Sequence, residues 1–193
     1  MTALPKKTYI SPEQYLVMER AAEVRHEYSN GEIFEMAGAS FEHTIISSNI
    51  NITLGLQLRG RDCRSVQSDL RVHIPTTGLY TYPDVLVVCG KANLVDDAYL
   101  DTLTNPDLII EVLSPSTAGH DRGEKFDHYR EIESLKEYVL VWQDKKRAAR
   151  YTKRSDGDWL LTDFIGDDAT IELSSVSCTL SMEDIYDKVD LPV

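Results

Sequence analysis

Three apolar runs, TYPDVLVVC (residues 81–89), PDLIIEVLS (106–114) and LKEYVLVW (135–142), constrain this chain more than anything else in it. Each is too continuous for a strand with one wet face, so each predicts a strand covered on both sides. The segment FEHTIISSNINITLGLQL (41–58) can supply one cover. Ile46, Ile50 and Leu54 recur there at helical spacing on one side and Ile45, Ile52 and Leu56 on another, which predicts a largely buried helix. CRSVQSDLRVHI (63–74) reads as a further, mixed strand. Between the second and third apolar runs the breaker-rich SPSTAGHDRG leads into a helix. Asp121, with Glu124 three residues on, is expected to cap that helix, which should end near Ile132 or Glu133. From Phe41 onward the order is α-β-β-β-α-β, an α/β fold around a mixed sheet.

Shorter elements flank this core. Ser11-Pro12-Glu13-Gln14 has the cap, first-turn proline and reciprocal glutamine of a helix start, and that helix runs to about Ala21. Asn30-Gly31 predicts a two-residue hairpin turn, since both residues tolerate positive φ. After the third run come a hairpin around Ser155-Asp156-Gly157-Asp158, a short strand near Ile171 and a short helix opened by Ser181. With 193 residues, 42% of them hydrophobic and 27% charged, the chain is expected to form one domain over 1–193. No apolar run approaches the roughly 20 residues of a membrane span, so no membrane partner is expected. The opening MTALPKKTY lacks the apolar centre of a signal peptide. Cys63, Cys89 and Cys178 are odd in number and form no CxxC spacing, which predicts neither a disulfide framework nor a structural zinc and favours the cytoplasm.

The net charge of −12 argues against a nucleic-acid partner, and its distribution weakens that argument. Residues 155–193 hold ten acids and one base, which leaves −9 there and only −3 in the preceding 154 residues. Lys145, Lys146, Arg147, Arg150, Lys153 and Arg154 form one basic cluster and Arg59, Arg61, Arg64 and Arg71 a looser one; either is ordinary solvated surface unless a partner is shown. If nucleic acid does bind, the acidic end should face away from the binding cleft.

Two acids interrupt the buried runs. Asp84 begins the first, and Glu111 sits inside LIIEVL between apolar neighbours. A buried ionised carboxylate needs a cation, a set of donors or a raised pKa. On neighbouring strands the two could approach and share a divalent ion, and hard oxygen ligands suit Mg²⁺ or Mn²⁺, with a backbone carbonyl such as that of Val112 completing the protein's share. The alternative is that each acid caps a strand end or pairs with an arginine, and for Asp84 alone Pro-Asp turn chemistry would suffice. Pro106-Asp107 opens a strand in the same way and is expected to be structural. Lys125 shares a helix face with Asp121 and Tyr129, four residues to either side, near the end of the Glu111 strand. His43, in line with Ile46 and Ile50, would point inward, either as a functional group or as a hydrogen-bonded core histidine.

Pro83-Asp84, then Glu111 in an apolar strand within the α-β-β-β-α-β order, resembles the PD-(D/E)XK nuclease superfamily. PDLIIEVLSPST followed by DRGEKFDHYREIESLKEYVLV is similar, more narrowly, to the bacterial Uma-two family of restriction-endonuclease-like proteins, over most of the chain. The resemblance implies a restriction-endonuclease-like core with an N-terminal helix-hairpin and C-terminal β additions. It also implies a Mg²⁺- or Mn²⁺-dependent endonuclease that hydrolyses DNA with an activated water, leaving a 5′-phosphate and a 3′-hydroxyl. Asp84 and Glu111 would be its metal ligands. The superfamily lysine two residues after the glutamate is here Leu113, and Lys125 from the following helix is the matching substitute. For the superfamily's helix glutamate the early candidates are Glu42 and His43, with His43 on the better face. A homodimer would suit cutting two strands. The rival reading is a catalytically silent module that uses cluster 145–154 to hold nucleic acid or protein, and a third is hydrolysis of another phosphoester.

Overall fold

The computed structural model describes residues 9–95, 98–115 and 118–192. Most of the opening MTALPKKTY, and Ser116 and Thr117 of the EVLSPST motif, lie outside the described residues. The first elements are α1 (Pro12–Ala21), β1 (His26–Ser29), β2 (Glu32–Glu35), α2 (Phe41–Gln57), β3 (Cys63–Gln67), β4 (Arg71–Ile74), β5 (Leu79–Thr81), β6 (Val85–Cys89) and β7 (Thr102–Leu103). They continue with β8 (Leu108–Leu113), α3 (Ala118–Arg122), α4 (Glu124–Tyr129), β9 (Glu137–Trp142), β10 (Arg147–Lys153), β11 (Trp159–Ile165), β12 (Thr170–Leu173), β13 (Cys178–Ser181) and α5 (Met182–Ile185).

Local signals place most of these. At α1, Gln14 N–H donates to Ser11 Oγ at 3.3 Å and Ser11 N–H donates back to Gln14 Oε1 at 2.8 Å, a closed capping box. Asn30 (φ 49°) and Gly31 (φ 90°) make the tight turn between β1 and β2, and the Tyr9 ring occupies the space where a Cβ on Gly31 would stand. Ser181 caps α5 through Asp184 N–H at 3.0 Å.

The strands divide into a six-stranded sheet, β11-β10-β9-β8-β6-β3, a five-stranded sheet, β2-β1-β5-β4-β7, and the pair β12-β13. In the six-stranded sheet β6 and β8 are antiparallel and β8 and β9 parallel, the latter joined by α3 and α4. Read in chain order, α2, β3, β6, β8, α3–α4 and β9 are the expected α-β-β-β-α-β core. All six residues of β8 and of β9 are buried, because both faces are covered. On one face Val85, Val87, Leu108, Ile110 and Val112 pack with α2, β12, β13 and α5. On the other, Leu86, Ile109 and Leu113 pack with Val72 and Ile74 of the five-stranded sheet and with Tyr129.

Four expectations are corrected. The run 63–74 is two strands in different sheets, β3 and β4, and 81–89 likewise breaks between β5 and β6. An apolar run reports burial and not which sheet buries it. The helix after the second run is α3 and α4 broken at Gly123, and Asp121 lies inside α3 instead of capping. Its carboxylate stands 3.7 Å from the Lys125 ammonium, a stronger partner than a free N–H. On α2 only Ile46, Ser47, Ile50 and Leu54 are buried, while Ile52 and Leu56 face solvent. Finally, Cys63 and Cys89 form a disulfide. They sit directly opposite in the β3–β6 register, which spacing alone does not reveal. This pairing removes the cysteine argument for a reducing compartment.

The bridge closes a loop of 26 residues, for which chain entropy gives a contribution of about 2–4 kcal/mol. Dithiothreitol should lower the denaturation free energy of the wild type by about that amount and leave the Cys63→Ser/Cys89→Ser double variant unchanged. Equal midpoints for the wild type with and without reductant would contradict the bridge.

Candidate active site

The strand register brings the two interrupting acids together. Val85 pairs with Ile110, so Asp84, one step outside the ladder, stands across from Glu111 on the neighbouring strand. Glu111 Oε2 accepts from Asp84 N–H at 3.3 Å, and Asp84 Oδ2 accepts from Val112 N–H at 2.7 Å. Asp84 thereby extends the β6–β8 ladder with its side chain. In an extended strand a residue's N–H and C=O leave on the same edge, so the Val112 carbonyl also points to the Asp84 side.

His43 and Lys125 converge on this pair from opposite faces of the sheet. His43, near the start of α2, places Nε2 2.8 Å from Asp84 Oδ1. Lys125 of α4 places its ammonium 3.0 Å from Glu111 Oε1, 3.1 Å from Glu27 Oε1 and 3.7 Å from Asp121. Tyr129, one turn beyond Lys125, donates its hydroxyl to Glu111 Oε1 at 2.7 Å. Leu113, at the position of the superfamily lysine, lies in the apolar core, so the ammonium beside Glu111 comes from α4 alone among the described residues. Glu42, the other early candidate, precedes His43 on α2 and is half-buried. Asp107 is structural as expected, receiving Cys89 N–H at 2.8 Å and pairing with Lys136 at 2.8 Å.

Glu27 is the residue that sequence reasoning missed. It lies on β1, in a polar hairpin strand with no signal of burial, and reaches the site because β1 joins β5 in the five-stranded sheet. Thr81 of β5 donates a short hydrogen bond to the same Glu27 oxygen that meets Lys125.

The electrostatics show excess negative charge. Burial pushes the Glu111 carboxyl up to about 8; Lys125 opposes this, while Asp84 and Asp121 add to it. Burial also opposes ionisation of Glu27, but Lys125 and Thr81 outweigh it and hold that carboxyl below its ordinary range. Lys125 resists the desolvation that would discharge it because Glu111, Tyr129, Glu27 and Asp121 surround it, and it stays charged far above neutrality. These directions pull against each other at Glu111, whose contacts are all donors, as a carboxylate requires, while its burial favours the proton. In the metal-free protein the proton makes up the missing positive charge at Glu111, and a bound cation would displace it. Four carboxyl groups, Glu27, Asp84, Glu111 and Asp121, face one ammonium and one imidazole.

That deficit fits a hard divalent ion held by two carboxylates and a carbonyl, the remaining positions going to water and substrate, as Mg²⁺ prefers. Among the described residues no three His, Cys, Asp or Glu side chains are grouped so that they could hold a metal ion, so the protein's share would be the two carboxylates and the carbonyl. The acidic end of the chain shares a sheet face with α2, which carries His43, and not with Lys125. β12, β13 and α5 pack on the sheet face opposite Lys125, and β11 lies at the far edge.

The Uma2 family, described as "Putative restriction endonuclease", matches residues 12–183, and the chain belongs to this family. Its fold is restriction-endonuclease-like. Two proteins of Synechocystis sp. described as uncharacterized are similar to it: slr1290 is 37% identical over 177 residues, covering 92% of this chain and 91% of its own length. The second, sll1609, is 40% identical over 161 residues, covering 83% and 90%. A crystal structure from Anabaena variabilis, described as a putative nuclease belonging to DUF820, shares the fold with a TM-score of 0.69 at 20% identity, over 86% of this chain and 91% of its own.

The pH dependence of the metal-free protein tests this charge balance. A carboxyl whose folded pKa is raised binds its proton more tightly folded than unfolded. Its stabilising contribution is therefore complete below pH 4.5 and is lost as pH rises through about 8. In EDTA the denaturation midpoint should fall across that window, and Glu111→Gln should flatten the fall. Mn²⁺ competes with the same proton, so its apparent affinity should rise with pH up to about 8. A metal affinity independent of pH, or unaffected by Glu111→Gln, would sink the assignment.

Proposed function

We propose that the protein is a Mg²⁺- or Mn²⁺-dependent endonuclease that hydrolyses DNA phosphodiester bonds. The observation that carries this reading is the placement of Asp84 and Glu111 across adjacent strands with the Lys125 ammonium 3.0 Å from Glu111. Membership of a family described in restriction-endonuclease terms supports the nucleic-acid substrate.

Asp84, Glu111 and the Val112 carbonyl would hold the ion, whose charge supports phosphate binding and makes a hydroxide nucleophile available near neutral pH. The other steps belong to side chains. Lys125, held by Glu27 and Asp121 independently of Glu111, keeps its ammonium beside the pair and stabilises negative charge developing on the phosphate. His43 fixes the direction of Asp84 through Nε2, and Tyr129 does the same for Glu111. Both are positioning residues.

The basic cluster 145–154 supports the silent-module reading less than its composition suggests. Arg147 pairs with Asp163 and Lys146 with Asp167, each at 2.8 Å, and Arg154 meets Asp156 at 3.7 Å. Arg150 hydrogen-bonds the Glu172 carbonyl. These cations are engaged with the acidic end of the same chain, which offers phosphate a neutralised surface.

Supercoiled plasmid incubated with Mg²⁺ or Mn²⁺ provides the test. The wild type should nick it, and EDTA, Asp84→Ala or Glu111→Ala should reduce nicking to background. Lys125→Ala should cost about 10²- to 10³-fold, and His43→Ala about 10- to 100-fold. Binding without cleavage by the wild type would overturn the reading in favour of a silent module. Equal nicking by the wild type and every variant would mark a contaminant and overturn it as well.

A further inference from the structure

We propose that the outer face of α2 is the interface of a homodimer, with two copies of the helix packed antiparallel about a two-fold axis. This rests on neither the metal nor the catalytic assignment.

The face is apolar and exposed. Phe41 is 74% exposed, Ile52 59% and Leu56 61%, and Ile45 is half-buried beside them. At 100° per residue these four positions fall within a stripe about 60° wide, opposite the Ile46–Ile50–Leu54 side that enters the core. Scattered single apolar residues need no explanation, but an aligned stripe along a whole helix does.

The occupant follows from the spacing. Positions 41, 45, 52 and 56 are symmetric about the midpoint of Ser48 and Asn49. A two-fold axis at that midpoint sets Phe41 against Leu56 of the other copy and Ile45 against Ile52, each contact occurring twice. Such self-complementarity is what an isologous interface requires. An unrelated partner would impose no symmetry of this kind.

Charge and helix composition agree. The chain carries −12, yet Glu42 is the one acid on α2 and the two-fold sets it against Gly55 of the other copy, so two copies of the helix can meet without like charges in contact. Gly55 lies in the middle of α2, where glycine weakens a helix relative to alanine. A Cβ there would meet nothing within 4 Å, so the monomer supplies no steric reason for it. Ser48 and Gly55, two turns apart beside the stripe, would let a second helix approach closely. His43 lies on the opposite side of α2, against Asp84, so the interface leaves the candidate active site uncovered.

A stripe about 22 Å long gives an interface on the order of 1,000 Å² in total, the size of a weak, concentration-dependent dimer. Sedimentation velocity on the full chain should show a monomer–dimer equilibrium at micromolar concentrations. Ile52→Asp should raise its dissociation constant at least about 100-fold while leaving the circular dichroism spectrum and melting unchanged. Ser48→Cys supplies a second reading. It should cross-link to itself under copper-phenanthroline oxidation, while Leu160→Cys on β11 should not. A wild type that stays monomeric at hundreds of micromolar would overturn the proposal. So would a dimer insensitive to Ile52→Asp, a dimer lost instead with Leu161→Asp on β11, or cross-linking of Ser48→Cys no greater than of Leu160→Cys.

Discussion

A carboxylate inside a strand buried on both faces is the constraint around which this molecule is arranged. Glu111 has apolar neighbours in sequence and apolar layers above and below, so its charge can be satisfied only by groups brought to it from elsewhere. Three donors do this: the Asp84 backbone from the adjacent strand, the Tyr129 hydroxyl and the Lys125 ammonium. The break of the α3–α4 helix at Gly123, the shift of Asp121 away from a capping role and the turn spacing of Lys125 and Tyr129 all serve that convergence. The donors still leave the cluster short of positive charge. A structural ion pair would be balanced, whereas the divalent-ion site proposed above requires this deficit.

The second sheet shapes the site as much as the first. Chain segments that read as single strands pass from one sheet to the other, and Asp84 sits at one such crossing between β5 and β6. The same sheet carries Glu27, which pairs with Lys125. The N-terminal hairpin, legible as a peripheral addition, is thus part of the wall of the site. Tyr28 of the hairpin, Tyr80 of β5 and Tyr15 of α1 form a small aromatic core that holds this wall against the rest of the chain.

Net charge acquires a different meaning once it is placed. The acids after residue 155 and the bases of β10 are brought side by side by the antiparallel β10–β11 register, where Arg147 meets Asp163 and Lys146 meets Asp167. Exposed pairs of this sort contribute little stability. Their effect is to cancel two opposite charge clusters that composition reports separately, at the edge of the sheet farthest from Glu111.

What could be read from the sequence was whatever local chemistry controls. The Ser11 capping box, the Asn30-Gly31 turn, the alternation that puts Glu111 on one strand face and the four-residue spacing of Asp121, Lys125 and Tyr129 need no distant partner to be recognised. Asp84 and Glu111 were visible because a charged residue in an apolar run contradicts its surroundings. Glu27 was not, because a glutamate in a polar hairpin contradicts nothing. The pairing of Cys63 with Cys89, the division of apolar runs between two sheets and the exposure of one side of α2 depend on which strands become neighbours and in what register. Hydrophobic patterning determines that a residue is covered; only the assembled layers decide by what, since many partners would satisfy the same pattern.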